Sequence, residues 1–161
     1  MHIYLNKLNY SFKKKPLLVG GMAMEYYGLR KSGADIDFIA SQEDVLELIK
    51  LYPNRVKDLW GDIGVCPFEF EIWKSICYFD YSYYKEMAIE KDSYLIISLE
   101  KLLIMKMLAN KKEKNLKDTS LIINLMLKDQ GKKLTEFTKQ NRQFLKDIKD
   151  IVYIEKTGPN K

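Results

Sequence analysis

Asp35 and Asp37 stand one residue apart inside an apolar run, Ala34-Asp35-Ile36-Asp37-Phe38-Ile39-Ala40. Side chains alternate along an extended strand, so both carboxylates fall on one face. Neighbouring carboxylates repel each other unless a proton or a cation lies between them. A divalent metal answers that repulsion. Upstream, Gly20-Gly21 follows the apolar Leu17-Leu18-Val19. Such a turn lets backbone come close to a ligand and leaves amides free for phosphate. Metal-bound phosphate chemistry is what the two features have in common.

A two-metal phosphoryl site needs about three carboxylates, because the cations sit roughly 3.5–4 Å apart and must be bridged and flanked. The alternating run Phe68-Glu69-Phe70-Glu71-Ile72-Trp73 offers a third. Its pattern predicts Phe68, Phe70 and Ile72 on one face and both glutamates on the other. Glu71 or Glu69 can serve; a solvent-facing edge strand is the plain alternative. Lys106 is a further candidate. It shares a helix face with Leu102 and Leu103 in an almost wholly apolar segment, where a lysine must snorkel or meet an anion.

Other chemistries are disfavoured. The chain has one histidine, His2, which removes histidine-based metal sites and Ser/His/Asp catalysis. Cys66 and Cys77 lack metal-ligand spacing and read as reduced, structural residues. An oxygen-only donor set favours magnesium or manganese over zinc. Neither a membrane-spanning run nor a signal-peptide pattern is present, so the expectation is a cytoplasmic protein with no membrane partner.

With 161 residues, 47% of them hydrophobic, the chain can build a real core. Charge is uneven. Residues 1–100 hold 12 Lys+Arg against 15 Asp+Glu, and residues 101–161 hold 15 against 7, for a net +5. The basic remainder suits a polyanion, or simply makes solvated helix faces.

The elements that must position these residues follow from pattern. Residues 3–12 have loosely helical apolar spacing. Strands are expected at 17–19, 34–40, 55–60, 68–73 and 94–97, with a turn from Gly61 to Gly64. A short helix at 22–28 ends at Gly28. Ser41 with Asp44 resembles a capping box for a helix over 42–51. Helices follow at 98–110, 116–128 and 133–151, the last two separated by Gly131. The fold class is α+β: a small mixed twisted sheet with flanking helices over 1–97, a helical part over 98–153, and a tail over 154–161.

The combination Gly20-Gly21, helix, Tyr27-Gly28-Leu29-Arg30-Lys31-Ser32, then Asp35-Ile36-Asp37-Phe38 resembles the signature of the polymerase-beta-like nucleotidyltransferase superfamily. The segment Ile97–Ala109 and the later Lys117-Asp118 are similar to those of its small bacterial members, which include abortive-infection type toxins. The resemblance covers most of residues 17–125. It implies transfer of a nucleoside monophosphate from a nucleoside triphosphate to an acceptor hydroxyl, dependent on Mg2+ or Mn2+. It also implies that Asp35, Asp37 and Glu71 (alternatively Glu69) bind the metals and carry catalysis. Gly20, Gly21, Arg30, Lys106 and Lys117 would meet the nucleotide. The acceptor would be a small molecule, a tRNA end, or a protein such as an antitoxin. Three departures stand out. A glutamate replaces the usual third aspartate, Gly21 replaces a serine, and Leu121 replaces an acidic residue.

Overall fold

The computed structural model describes residues 3–109 and 113–140. The chain forms two compact units, Met1–Ile122 and Ile123–Lys161. The first is a mixed α+β unit. Its elements run β1 (Leu17–Leu18), α1 (Gly20–Tyr26), β2 (Ile36–Ile39), α2 (Gln42–Leu51), β3 (Val56–Leu59), β4 (Asp62–Val65), β5 (Phe70–Trp73), β6 (Ser75–Ile76), β7 (Phe79–Asp80), α3 (Tyr81–Tyr84), β8 (Ile89–Glu90), β9 (Leu95–Ile96) and α4 (Leu99–Leu108). A final helix, α5 (Glu113–Gln140), continues into the second unit.

Seven strands form one sheet in the order β3-β4-β5-β2-β1-β9-β8, and β6 and β7 form a separate hairpin. The β2–β5 and β1–β9 pairs are parallel; the other pairs are antiparallel. Alternation divides the sheet into two faces. One presents Ile36, Phe38, Val65, Phe70 and Ile72, which join Leu8, Val45 and Leu48 in the main core. On β2 and β5 the other face presents Asp37, Ile39, Glu71 and Trp73. Val45 and Leu48 lie on α2, three residues apart and so on one helix face.

Capping at α2 follows the sequence pattern. Ser41 Oγ accepts from the Asp44 backbone N–H at 3.2 Å and donates to the Asp44 carboxylate at 2.5 Å. Asp44 is fully buried. It also accepts from Tyr10 Oη at 2.8 Å and from the Lys13 N–H at 2.8 Å, which fastens the segment before β1 to α2.

Several expectations are corrected. Of the helix expected over 3–12, only one 3-10 turn forms, Leu5–Leu8. Helix α1 begins at Gly20, two residues early. The expected turn from Gly61 to Gly64 is tighter. It centres on Trp60-Gly61, and Asp62–Val65 is a strand that pairs with both β3 and β5. Phe68 does not share a face with Phe70 and Ile72. It precedes the strand, has φ +55°, and is exposed. Its Pro67 neighbour starts a turn in which the Phe70 N–H donates to the Pro67 carbonyl. Gly131 does not separate two helices, because α5 runs through it. A glycine in an exposed helix interior costs only about 1 kcal/mol, which the neighbouring turns override. His2, residues 141–151 and the 154–161 tail lie outside the described residues. Among the described residues, no helix is long and apolar enough to cross a membrane.

Candidate functional site

Asp37 is the centre of the constellation. Its strand, β2, lies beside β5 with Asp37 in register with Glu71. Strand spacing of about 4.8 Å therefore puts the two carboxylates on adjacent positions of one face. On the other side of β2, β1 delivers the chain to Gly20. The Val19 N–H donates to the Asp37 carbonyl at 2.9 Å, so the glycine turn abuts the aspartate. Gly20 has φ +62°, and a Cβ there would stand 1.9 Å from Asp37 Oδ2. Only glycine fits both the conformation and the space.

These surroundings push the Asp37 pKa up to about 6. Burial is the main cause and the neighbouring Glu71 charge the next. The Gly21 backbone N–H and the Lys106 charge oppose the rise, while Asp35 adds to it. Asp35, Glu71, Gly21 and Lys106 thus all act on this one carboxyl. Asp35 itself is exposed, just ahead of β2.

The two glutamates separate. Glu71 is the one in register with Asp37, and Lys57 Nζ donates to it at 2.9 Å. Glu69 lies before β5 and is held by Lys7, which keeps its carboxyl below the usual range. With Glu71 occupied by a lysine, the acidic side chains do not close into a ready cage. Among the described residues, no group of three or more His, Cys, Asp or Glu side chains is arranged to hold a metal ion. In donor chemistry the residues do suit a hard divalent cation. The site offers carboxylate oxygens, two of these groups on registered neighbours, and burial together with the Glu71 charge leaves Asp37 reluctant to ionise.

On the other flank, α4 and the loop after α1 bring cations to a buried acid on α5. Ser98 caps α4 by accepting from the Lys101 N–H. Lys106, near the end of α4, is almost fully buried, as its apolar helix requires. Its Nζ lies 2.9 Å from Asp118 and donates to Asn115 at 3.3 Å. Asp118 is 1% exposed and also takes a two-pronged grip from Arg30, Nε at 2.6 Å and Nη2 at 2.8 Å. Burial alone would raise the Asp118 pKa, but hydrogen bonds from Arg30 and Lys106 hold it below its ordinary value. The fork geometry of a guanidinium on a carboxylate fixes orientation as well as charge.

A cavity of about 500 Å³ opens here, lined by Arg30, Glu113, Lys114, Lys117, Asp118 and Leu121. Lys117 is at its rim, exposed and paired with Glu113 one helical turn away at 2.8 Å. A second cavity, about 430 Å³, lies on the opposite flank and includes Asp35, Arg55, Lys57, Cys66 and Glu71 in its wall.

Sequence reasoning missed two pairings. Asp118, expected to orient Lys117 or to hold the fold, pairs with Arg30 and Lys106, and Lys57 sits on the candidate metal ligand. The signal for Asp118 was present: one acid facing inward on a lysine-rich helix needs a partner. For Lys57 no signal was available, because β4 was read as a turn and the β3–β4–β5 order was hidden. The aromatic residues near the site are packing residues. Trp73 is buried across Gly64, where a Cβ would meet its ring at 2.5 Å, and Tyr27 Oη donates to the Ile97 carbonyl at 2.8 Å. In comparisons with known proteins the chain matches no family model, no curated protein and no solved structure.

Proposed function

We propose that this chain is a metal-dependent nucleotidyltransferase that moves a nucleoside monophosphate from a nucleoside triphosphate to an acceptor hydroxyl and releases pyrophosphate. One observation carries this reading. A half-buried aspartate, Asp37, lies in register with Glu71 and against Gly20, where no side chain fits. Carboxylates crowded beside bare backbone suit cation-bridged phosphate better than they suit a packed core.

Asp35, Asp37 and Glu71 would hold Mg2+ or Mn2+, with Glu69 farther off beside Lys7. Those ions, when bound, lower the pKa of an acceptor hydroxyl and neutralise charge on the reacting phosphate. The chain's own residues do the rest. Gly20 keeps the space beside Asp37 open. Arg30 and Lys106, held in place by Asp118, supply positive charge on the side where pyrophosphate would leave. Lys117, exposed beside Glu113, adds a third charge. Without a cation, burial and the Glu71 charge hold the Asp37 pKa up at about 6.

A second reading has one observation in its favour. Lys57 and Lys7 already neutralise Glu71 and Glu69, and no three-ligand group is formed among the described residues. This suits a catalytically weak module of the same fold that binds RNA or a partner protein through its basic helices. One experiment separates the two. The protein is incubated with α-labelled nucleoside triphosphates, Mg2+ and a cell extract, and the labelled fraction is identified. Label transferred by wild type but not by Asp37→Asn supports the transferase. Transfer equal in both, or none with any of the four nucleotides, sinks it.

A further inference from the structure

Lys57 reaches Glu71 from two strands away. β3 pairs with β4 so that Lys57 lies opposite Gly64, and β4 pairs with β5. Registered partners share a face, so Lys57 belongs to the same sheet face as Glu71 and Asp37. Cys66, just past the end of β4, lines the same cavity as Lys57 and Glu71. The ammonium ends 2.9 Å from Glu71 Oε1, at the wall of the 430 Å³ cavity.

We propose that Lys57 and a divalent cation are alternative partners of the Glu71 carboxylate, so that Lys57 is a resident counter-ion that sets the metal affinity of the site. The inference rests on the nucleotidyltransferase reading above. Three observations carry it. Glu71 is the acid in register with Asp37, so it is the ligand whose capture matters most. The lysine side chain is 50% exposed and Glu71 28%, so the pair is wetted and exchangeable. The adjoining cavity gives the displaced ammonium somewhere to turn without unfolding the edge strand. Neutralising Glu71 by a lysine also relieves the repulsion on Asp37, which is the service a cation would render.

The test measures Mn2+ binding to the full chain by the loss of the free-ion paramagnetic signal, with calorimetry as a check. Wild type, Lys57→Met, Lys57→Arg, Arg55→Met and Asp37→Asn are compared at low salt, with circular dichroism to confirm folding. Exchange predicts that Lys57→Met binds Mn2+ about 3- to 10-fold more tightly than wild type. Lys57→Arg stays near wild type because it keeps the charge. Arg55→Met, which removes a cation from the same cavity wall without touching Glu71, gains less than about twofold. Two results overturn the exchange alone: Asp37-dependent binding that is indifferent to Lys57, or an equal gain in Arg55→Met. No Asp37-dependent binding in wild type overturns the nucleotidyltransferase reading and the exchange with it.

Discussion

Gly20 and Asp37 occupy space that only one of them can fill: a Cβ on the glycine would lie 1.9 Å from the aspartate Oδ2. The left-handed backbone at Gly20 adds about 1–2 kcal/mol against any L-residue. Gly20→Ala is therefore expected to lose at least that much stability in urea melts and to abolish nucleotide binding. Gly21 is different. A Cβ there has only ordinary neighbours, at 3.6 Å and beyond. Gly21→Ser is expected to change stability by less than about 0.5 kcal/mol. A loss as large as that of Gly20→Ala would show the turn to be misdescribed.

Asp37 predicts a pH dependence of stability. Its carboxyl is raised from 3.8 to about 6, chiefly by burial and by Glu71. A raised acid stabilises the folded state below its unfolded pKa and loses that contribution as pH rises through the folded value. The loss is complete above pH 6 to 7 and is on the order of 3 kcal/mol. Asp37→Asn should thus be more stable than wild type at pH 7.5, and the gap should close by pH 4. Denaturation at both pH values checks this. Under the proposed function, added Mg2+ also narrows the gap at pH 7.5 by stabilising wild type alone.

Asp35 gives the cleanest separation of function from folding. It is exposed and ahead of its strand. Asp35→Ala should leave thermal stability within about 0.5 kcal/mol while removing Mg2+-dependent nucleotide binding. Unaltered affinity, measured by calorimetry with and without chelator, counts against a metal role for this residue.

Asp118 should be costly to remove. It is 1% exposed and holds two cations. Asp118→Ala leaves Arg30 and Lys106 uncompensated and is expected to cost about 3–5 kcal/mol. Lys106→Met should cost less, because Arg30 still satisfies the acid. A double-mutant cycle between Asp118 and Lys106 should show clear coupling. Additive losses would mean that Arg30 alone is the partner.

How far these features were legible varies with their range along the chain. The capping of α2 by Ser41 and Asp44 was readable, because a cap is decided within four residues. The placing of Asp37 on β2 was readable from alternation, as was Lys106 from its apolar helix, whereas Asp35 falls ahead of the strand, which starts at Ile36 rather than Ala34. Register was not. Nothing local distinguishes Glu69 from Glu71; the choice is made by the Ile36–Phe70 pairing and by a turn at Pro67 that ends the alternation early. Gly61 and Gly64 were read as one turn because glycine marks turns. Gly64 is instead a strand residue whose missing side chain admits the Trp73 ring. Arg30 reads locally as a loop cation, and its partner is 88 positions away. Pairings of that separation are fixed by topology, which composition and periodicity do not encode.

The edge position of β3 has its own consequence. All four of its residues are exposed, and one side of the strand has no neighbour in the sheet. Such a border invites a second molecule to extend the sheet. Two copies meeting antiparallel about a twofold axis must match residues that point the same way, so the axis passes through a single residue and its mate. Centred on Lys57, that arrangement confronts two ammonium groups. Centred on Asp58, it confronts two carboxylates. Either contact is repulsive, so this open border is guarded against self-recruitment by the charge at its middle.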